Sequence, residues 1–119
     1  MFSFEQLLVY QESIAFVQVI YRYCLLFPPE EKFSLSNQLR RASTSISLNI
    51  AEGSSRTEKD FSHFITLARG SCYECVAILT IAKKQKYIEE SQYVEAYNKL
   101  IILVKMLNAL RKSLNMPKP

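Results

Sequence analysis

The sequence predicts an all-α fold, an antiparallel up-down-up-down four-helix bundle. Three observations predict it. Glycine occurs only at Gly53 and Gly70, and the prolines stand at Pro28, Pro29, Pro117 and Pro119. β-rich domains need many turn residues, so this scarcity leaves long helices. Apolar residues recur at alternating intervals of three and four through four segments, the period of a helix face. The breaks between segments are short, which sets sequential helices side by side and antiparallel. The chain of 119 residues is one domain, residues 1–119, and its 49 % apolar content is enough for a core.

The first helix is expected over residues 4–26. Ser3 and Gln6 have capping-box spacing, the serine oxygen reaching forward and the glutamine reaching back to orphan amides. Leu7, Tyr10, Ile14, Val17, Tyr21 and Cys24 form one apolar seam. Val9, Ser13, Phe16, Ile20, Tyr23 and Phe27 form a second at the same spacing. One neighbour in a bundle needs one stripe, so two stripes predict that a second surface is buried. Pro28-Pro29 ends the helix, because proline lacks the amide proton and clashes with the preceding turn.

The second helix is expected over residues 36–53, with Gly53 as a left-handed C-terminal residue. Its seam is Leu35, Leu39, Ala42, Ile46 and Ile50. Thr57 and Asp60 repeat the capping pattern and open a third helix over residues 58–86. Phe61, Phe64 or Ile65, Ala68, Cys72 or Cys75, Leu79 and Ala82 form its buried side. Lys83, Lys84 and Lys86 close it, favourably placed against the helix dipole. The fourth helix is expected over residues 91–114. Val94, Tyr97, Ile101, Val104, Leu107 and Leu114 form its seam, and Ile102, Leu103, Met106 and Leu110 spill around the side. That arc is again too wide for one neighbour. Met116 to Pro119 reads as a frayed tail. Helices of this length make a rod ~35 Å long at ~1.5 Å per residue.

The second helix also carries a polar stripe. Gln38, Arg41, Ser45, Asn49 and Glu52 share one face, one residue behind the apolar seam at each turn. A stripe bordering the core needs partners, since an unpaired buried polar group costs about 1–3 kcal/mol. The third helix offers Ser71 and Glu74, beside Gly70. A glycine inside a helix costs about 1 kcal/mol relative to alanine, and close approach of the second helix is the expected compensation. Arg41 and Glu74 are expected to pair, within the chain or across a subunit boundary.

Functional chemistry is sparse. Cys72-x-x-Cys75 lies well inside a helix, without the N-terminal amides that lower a redox thiol's pKa. Zinc would need two more ligands, and Cys24 and His63 are what remain. No Ser–His–acid set and no glycine-rich phosphate loop is visible. No catalytic residue, metal or cofactor is therefore assigned. The segment IAEGSSRTEKDFSHF has the helix-turn-helix cues, but its second helix continues with apolar periodicity and is too buried to enter a DNA groove. No apolar run approaches the ~18 residues of a membrane span, and no membrane role is expected. MFSFEQ does not begin like a signal peptide, and an odd cysteine count fits a reducing cytoplasm.

The net charge is +4, with residues 1–60 at −1 and residues 61–119 at +5. In the expected topology Arg40, Lys83, Lys84 and Lys86 share one end of the rod. Arg56, Lys59, Lys105, Arg111 and Lys112 gather towards the other. Assembly of several copies would turn either set into a continuous basic rim able to hold phosphates.

The run QLRRASTSISLNIAEGSSR, the FPPEEKFSLSNQ before it and the ARGSCYE after it resemble a known family. It comprises the four-helix bundle proteins encoded within 23S ribosomal RNA intervening sequences, also called S23-like. The resemblance rests on Gln38, Arg40-Arg41, Ser45-Ile46, Asn49 to Gly53, Ala68, Gly70-Ser71 and Glu74, and it covers nearly the whole chain. More distantly, the chain resembles the accessory variability protein of diversity-generating retroelements. The resemblance implies a bundle that closes into a homo-oligomeric ring of five subunits, with no catalytic residue. The retroelement relative binds nucleic acid and a reverse transcriptase through a basic ring surface, so RNA or DNA, or another protein, is the implied partner. The expected function is a non-enzymatic nucleic-acid or ribonucleoprotein-associated binding module. The alternative is a protein-interaction scaffold with no nucleic-acid role, and a third reading makes Cys72-Cys75 a redox pair.

Overall fold

The computed structural model describes residues 1–117. A 3-10 turn at Ser3–Gln6 leads into α1 (Leu8–Cys24). A second 3-10 turn at Pro29–Glu31 precedes α2 (Leu35–Ser54), followed by α3 (Glu58–Lys84) and α4 (Glu90–Leu114). Among the described residues there is no strand, and the four helices form a bundle. It measures 53 × 22 × 21 Å, longer than the ~35 Å rod expected from the helices. Of the expected tail, Met116 and Pro117 follow α4, and residues 118 and 119 lie outside the described residues.

The first helix starts later than its spacing suggested. Leu7 is extended, with φ −71° and ψ 125°, and separates the 3-10 turn from α1. Glu5, not Gln6, reaches back: its Oε1 accepts from the Phe2 amide at 2.9 Å. Of the two seams on α1, the one containing Ser13 faces the core. Val9, Ser13, Phe16, Ile20, Tyr23 and Phe27 are all buried, whereas Ile14 and Tyr21 of the other seam are exposed.

α2 lies between α1 and α3 and is built from small side chains. Ser47 meets Ser13 of α1, and the Ser36 carbonyl meets Cys24. On the other side Ser45 meets Ser71 of α3, and Gly53 meets Phe64. Thr80 and Thr66 of α3 meet Tyr93 and Arg111 of α4. In each pair, numbers rise along one helix as they fall along the next. α1 and α3 share no contact, so they stand on a diagonal, and the α1–α2 face is opposite the α3–α4 face.

Both glycines differ from expectation. Gly53 is not left-handed: it lies inside α2, and a Cβ there would stand 2.6 Å from Phe64 Cβ and 2.9 Å from Phe61 Cδ1. It is a point of close approach between α2 and α3. Gly70 is exposed, and a Cβ there would meet nothing within 4 Å. The expected close approach at Gly70 therefore occurs at Gly53.

The Thr57 hydroxyl caps α3 by accepting from the Asp60 amide at 3.2 Å. The helix ends at Lys84, two residues early, because Lys86 turns left-handed with φ 63°. By length and mean hydropathy (1.4 over 18 residues) α3 reaches the range of a membrane-crossing helix, contrary to the expectation from apolar runs. Here its Ala68, Cys72, Cys75 and Leu79 stripe is packed into the bundle core. In α4 the core stripe is Ala96, Leu100, Leu103 and Leu107, whereas Val94, Tyr97 and Ile101 are exposed. The expected seam is thus displaced around the helix, and Leu103, expected at the side, is central.

Candidate functional surface

The polar stripe of α2 divides into two halves. Ser45 and Asn49 are half-buried and joined: Asn49 Nδ2 donates to the Ser45 carbonyl at 2.8 Å and to Ser45 Oγ at 3.0 Å. Ser71 Oγ of α3 donates to Ser45 Oγ at 3.0 Å. These three residues form a polar clasp between α2 and α3. Gln38, Arg41, Glu52 and Glu74 are exposed. Glu52 pairs with Arg56 at 3.2 Å, one helical turn away. The expected Arg41–Glu74 pair is not formed within the chain, where the ion pairs among the described residues are Arg56–Glu52 and Lys83–Glu90. Both side chains stand in water, where pairing contributes little to offset the lost side-chain freedom.

A second polar column was not anticipated. Ser13 donates to the Tyr10 carbonyl at 2.6 Å, and its oxygen lies 2.8 Å from Ser47 Oγ in the buried α1–α2 contact. Ser43, also buried, donates to the Arg40 carbonyl at 3.0 Å. The signal was present in Ser36, Ser43 and Ser47, spaced by seven and four on the α1 side of α2, and in Ser13 within an otherwise apolar seam.

The basic candidates fall at two ends. At one, Tyr87 donates to Glu31 Oε2 at 2.9 Å and ties the α1–α2 link to the α3–α4 link. That bond holds the Tyr87 hydroxyl above its ordinary pKa. Arg40, Lys83, Lys84 and Lys86 belong to this end. Arg40 donates to the Lys32 carbonyl at 3.0 Å, and Lys83 pairs with Glu90 at 3.3 Å and lies over the Tyr93 ring. At the other end, Arg56 is held by Glu52 and by the face of Phe64, and Arg111 donates to Thr66 Oγ1 at 3.4 Å. Lys84 and Lys86 at the first end, and Lys59 and Lys112 at the second, are exposed. Lys105, also exposed, is set further in, on the rim of a groove between α3 and α4.

That groove encloses about 480 Å³ and is lined by Cys72, Tyr73, Val76, Tyr97, Ile101 and Val104. It is apolar apart from Lys105 and the tyrosine hydroxyls. Tyr97, Ile101 and Val104, read as core, are in fact part of its α4 wall, and Val94 of the same spacing is exposed.

The thiols are buried. Burial pushes Cys72 up to about 12, and Cys75 higher still, with Cys72, Glu74 and Cys24 adding to the effect. Cys24 is raised by burial as well. These shifts run opposite to those of a reactive thiolate. His63 is exposed beside Phe64. Among the described residues no cluster of three or more His, Cys, Asp or Glu could hold a metal ion.

Comparison with curated proteins returned no match. A solved structure shares the fold with a TM-score of 0.79 and 26 % sequence identity, covering 88 % of this chain and 99 % of the other. It is a Bacteroides thetaiotaomicron protein of unknown function from the S23 ribosomal protein family. The family model for the 23S rRNA-intervening sequence protein matches residues 5–109. With that match reaching from the first turn well into α4 and the fold shared over 88 % of its length, the chain belongs to the 23S rRNA-intervening sequence protein family.

Proposed function

We propose that this protein is a non-enzymatic, cytoplasmic binding module. In this reading the up-down-up-down bundle assembles into a closed homo-oligomeric ring, five-membered as the family resemblance implies, and holds nucleic acid on a basic rim. The observation that carries the nucleic-acid part is the set of exposed lysines Lys59, Lys105 and Lys112, with Arg111 held only by a long bond to Thr66. Cations not engaged by carboxylates can exchange counterions for phosphates, and a ring multiplies them. Two apolar stripes unused by the bundle support assembly, and thiols held protonated support the absence of covalent chemistry.

Binding of RNA or DNA is expected at low salt, weakening steeply as salt rises. Neutralising Lys105, Arg111 and Lys112 together should abolish it and flatten the salt dependence. No binding at low ionic strength, where phosphate contacts are strongest, would remove this reading. One observation favours the alternative, a protein-interaction scaffold with no nucleic-acid role. Arg40, Arg56 and Lys83 are already engaged within the chain, so much of the basic excess serves the bundle itself.

A further inference from the structure

We propose that the α3–α4 groove receives the outer edge of α1 from a second copy of the chain, so that copies join head to tail. The inference rests on the self-association reading above and adds which two surfaces meet. The first surface is the outer part of the row Leu7, Tyr10, Ile14, Val17 and Tyr21. Leu7 and Tyr10 pack against the core, and the stretch from Ile14 to Tyr21 stands at the bundle's edge. Ile14 is 38 % exposed and Tyr21 46 %, and Leu25 continues the row at 84 %. The row flanks α2, because its last member in the helix, Cys24, touches the Ser36 carbonyl. The second surface is the groove, where Tyr73 is 57 % exposed, Tyr97 40 % and Ile101 39 %.

Shape and position match. One surface is a convex row on a single helix. The other is a furrow between two helices, the place where a third helix sets its ridge. The two lie on opposite sides of the molecule, since α1 and α3 stand on a diagonal. Two different patches on opposite sides make a heterologous contact, which repeats from copy to copy and closes when the rotation allows. A two-fold dimer would need only one self-complementary patch. Residues 1–60, which hold the edge, carry −1 and residues 61–119, which hold the groove, carry +5, so the two facing halves differ in the sign of their net charge. The uncovered edge from Ile14 to Leu25, ~16 Å long and lying between helices about 10 Å apart, offers a few hundred Å² per copy, part of the ~800 Å² of a lasting interface.

The test is a mixing experiment with two full-length variants. One carries Ile14→Glu and Tyr21→Glu, the other Tyr73→Glu and Ile101→Glu. Molar mass is read by light scattering and helicity by circular dichroism. Each variant alone should be a helical monomer where the unaltered chain is oligomeric. Mixed one to one they should form a dimer and stop there, because the mixture holds one intact edge and one intact groove. Retention of the full oligomer by either variant overturns the proposal, leaving self-association to other surfaces. Failure of the mixture to pair overturns it as well, in favour of a self-complementary contact. An unaltered chain that is itself monomeric overturns the self-association reading beneath it. Should a double variant lose helicity, Tyr21→Ser and Tyr73→Ser replace it. Each is expected to raise the dissociation constant at least tenfold, and unchanged constants count against the proposal.

Discussion

The close approach expected at Gly70 occurs at Gly53 instead, and each glycine makes a measurable difference. A Cβ at Gly53 would collide with Phe64 Cβ and the Phe61 ring. Gly53→Ala should therefore lower stability by about 1–3 kcal/mol, as overpacking does. At Gly70 the added methyl meets nothing, and alanine is the better helix former. Gly70→Ala should raise stability by up to ~1 kcal/mol. Urea denaturation of the two variants checks both signs, and a neutral Gly53→Ala would contradict the close approach. The sequence puts Gly70 inside a helix and Gly53 at the end of one. Which one is needed depends on the distance between two helices, and that is a property of packing.

At the scale of an element, the end of α3 is strained by its own sequence. Lys86 has φ 63°, the Tyr87 amide donates to the Ala82 carbonyl at 2.9 Å, and the Lys86 amide donates to the Lys83 carbonyl at 3.0 Å. This is the Schellman arrangement with lysine where glycine is usual. An L-residue in that conformation costs about 1–2 kcal/mol, part of which glycine returns through its freer unfolded chain. Lys86→Gly should shift the urea midpoint upwards by an amount worth ~0.5–1 kcal/mol. A lower midpoint would mean that the lysine side chain makes a contact worth more than the strain. The apolar stripes show the same division between local and tertiary information. Two seams on α1 were legible, but not which one the core takes. Composition favours the seam with five apolar members before Cys24. The core takes the seam with Ser13, because Ser47 of α2 supplies the hydroxyl partner. On α4 the core likewise takes Leu100, Leu103 and Leu107, leaving Tyr97 and Ile101 to wall the groove.

For the whole molecule, the buried thiols couple folding to pH. Cys72 is raised from 9.0 to about 12 by burial, and Cys75 is raised further. A thiol held protonated only in the folded state binds more protons there than in the unfolded chain. Stability from these groups is complete below about pH 9 and falls as pH rises towards 12. Tyr23, raised by burial and by its 2.6 Å bond to Glu95, acts in the same direction above its own ordinary value of 10.0. Melting temperature should therefore decline across the alkaline range, and a Cys72→Ala, Cys75→Ala chain should decline less steeply. Equal slopes for the two chains would show that ionisation of these thiols does not drive the loss.

The sequence by itself determined the four helices, their breaks, the seam Leu39, Ala42, Ile46 and Ile50, and the polar stripe that marks the family. These follow from local physics: helical period, capping and the missing amide of proline act within a few residues. Tertiary structure decided which stripe each outer helix turns inward, that Ser45 clasps Ser71, and that Arg41 and Glu74 stay apart in one chain. It also decided that two apolar surfaces remain uncovered on opposite sides of the bundle. Those outcomes depend on how a neighbouring helix meets a buried hydroxyl or a missing side chain. The spacing along one helix carries no record of what stands across from it.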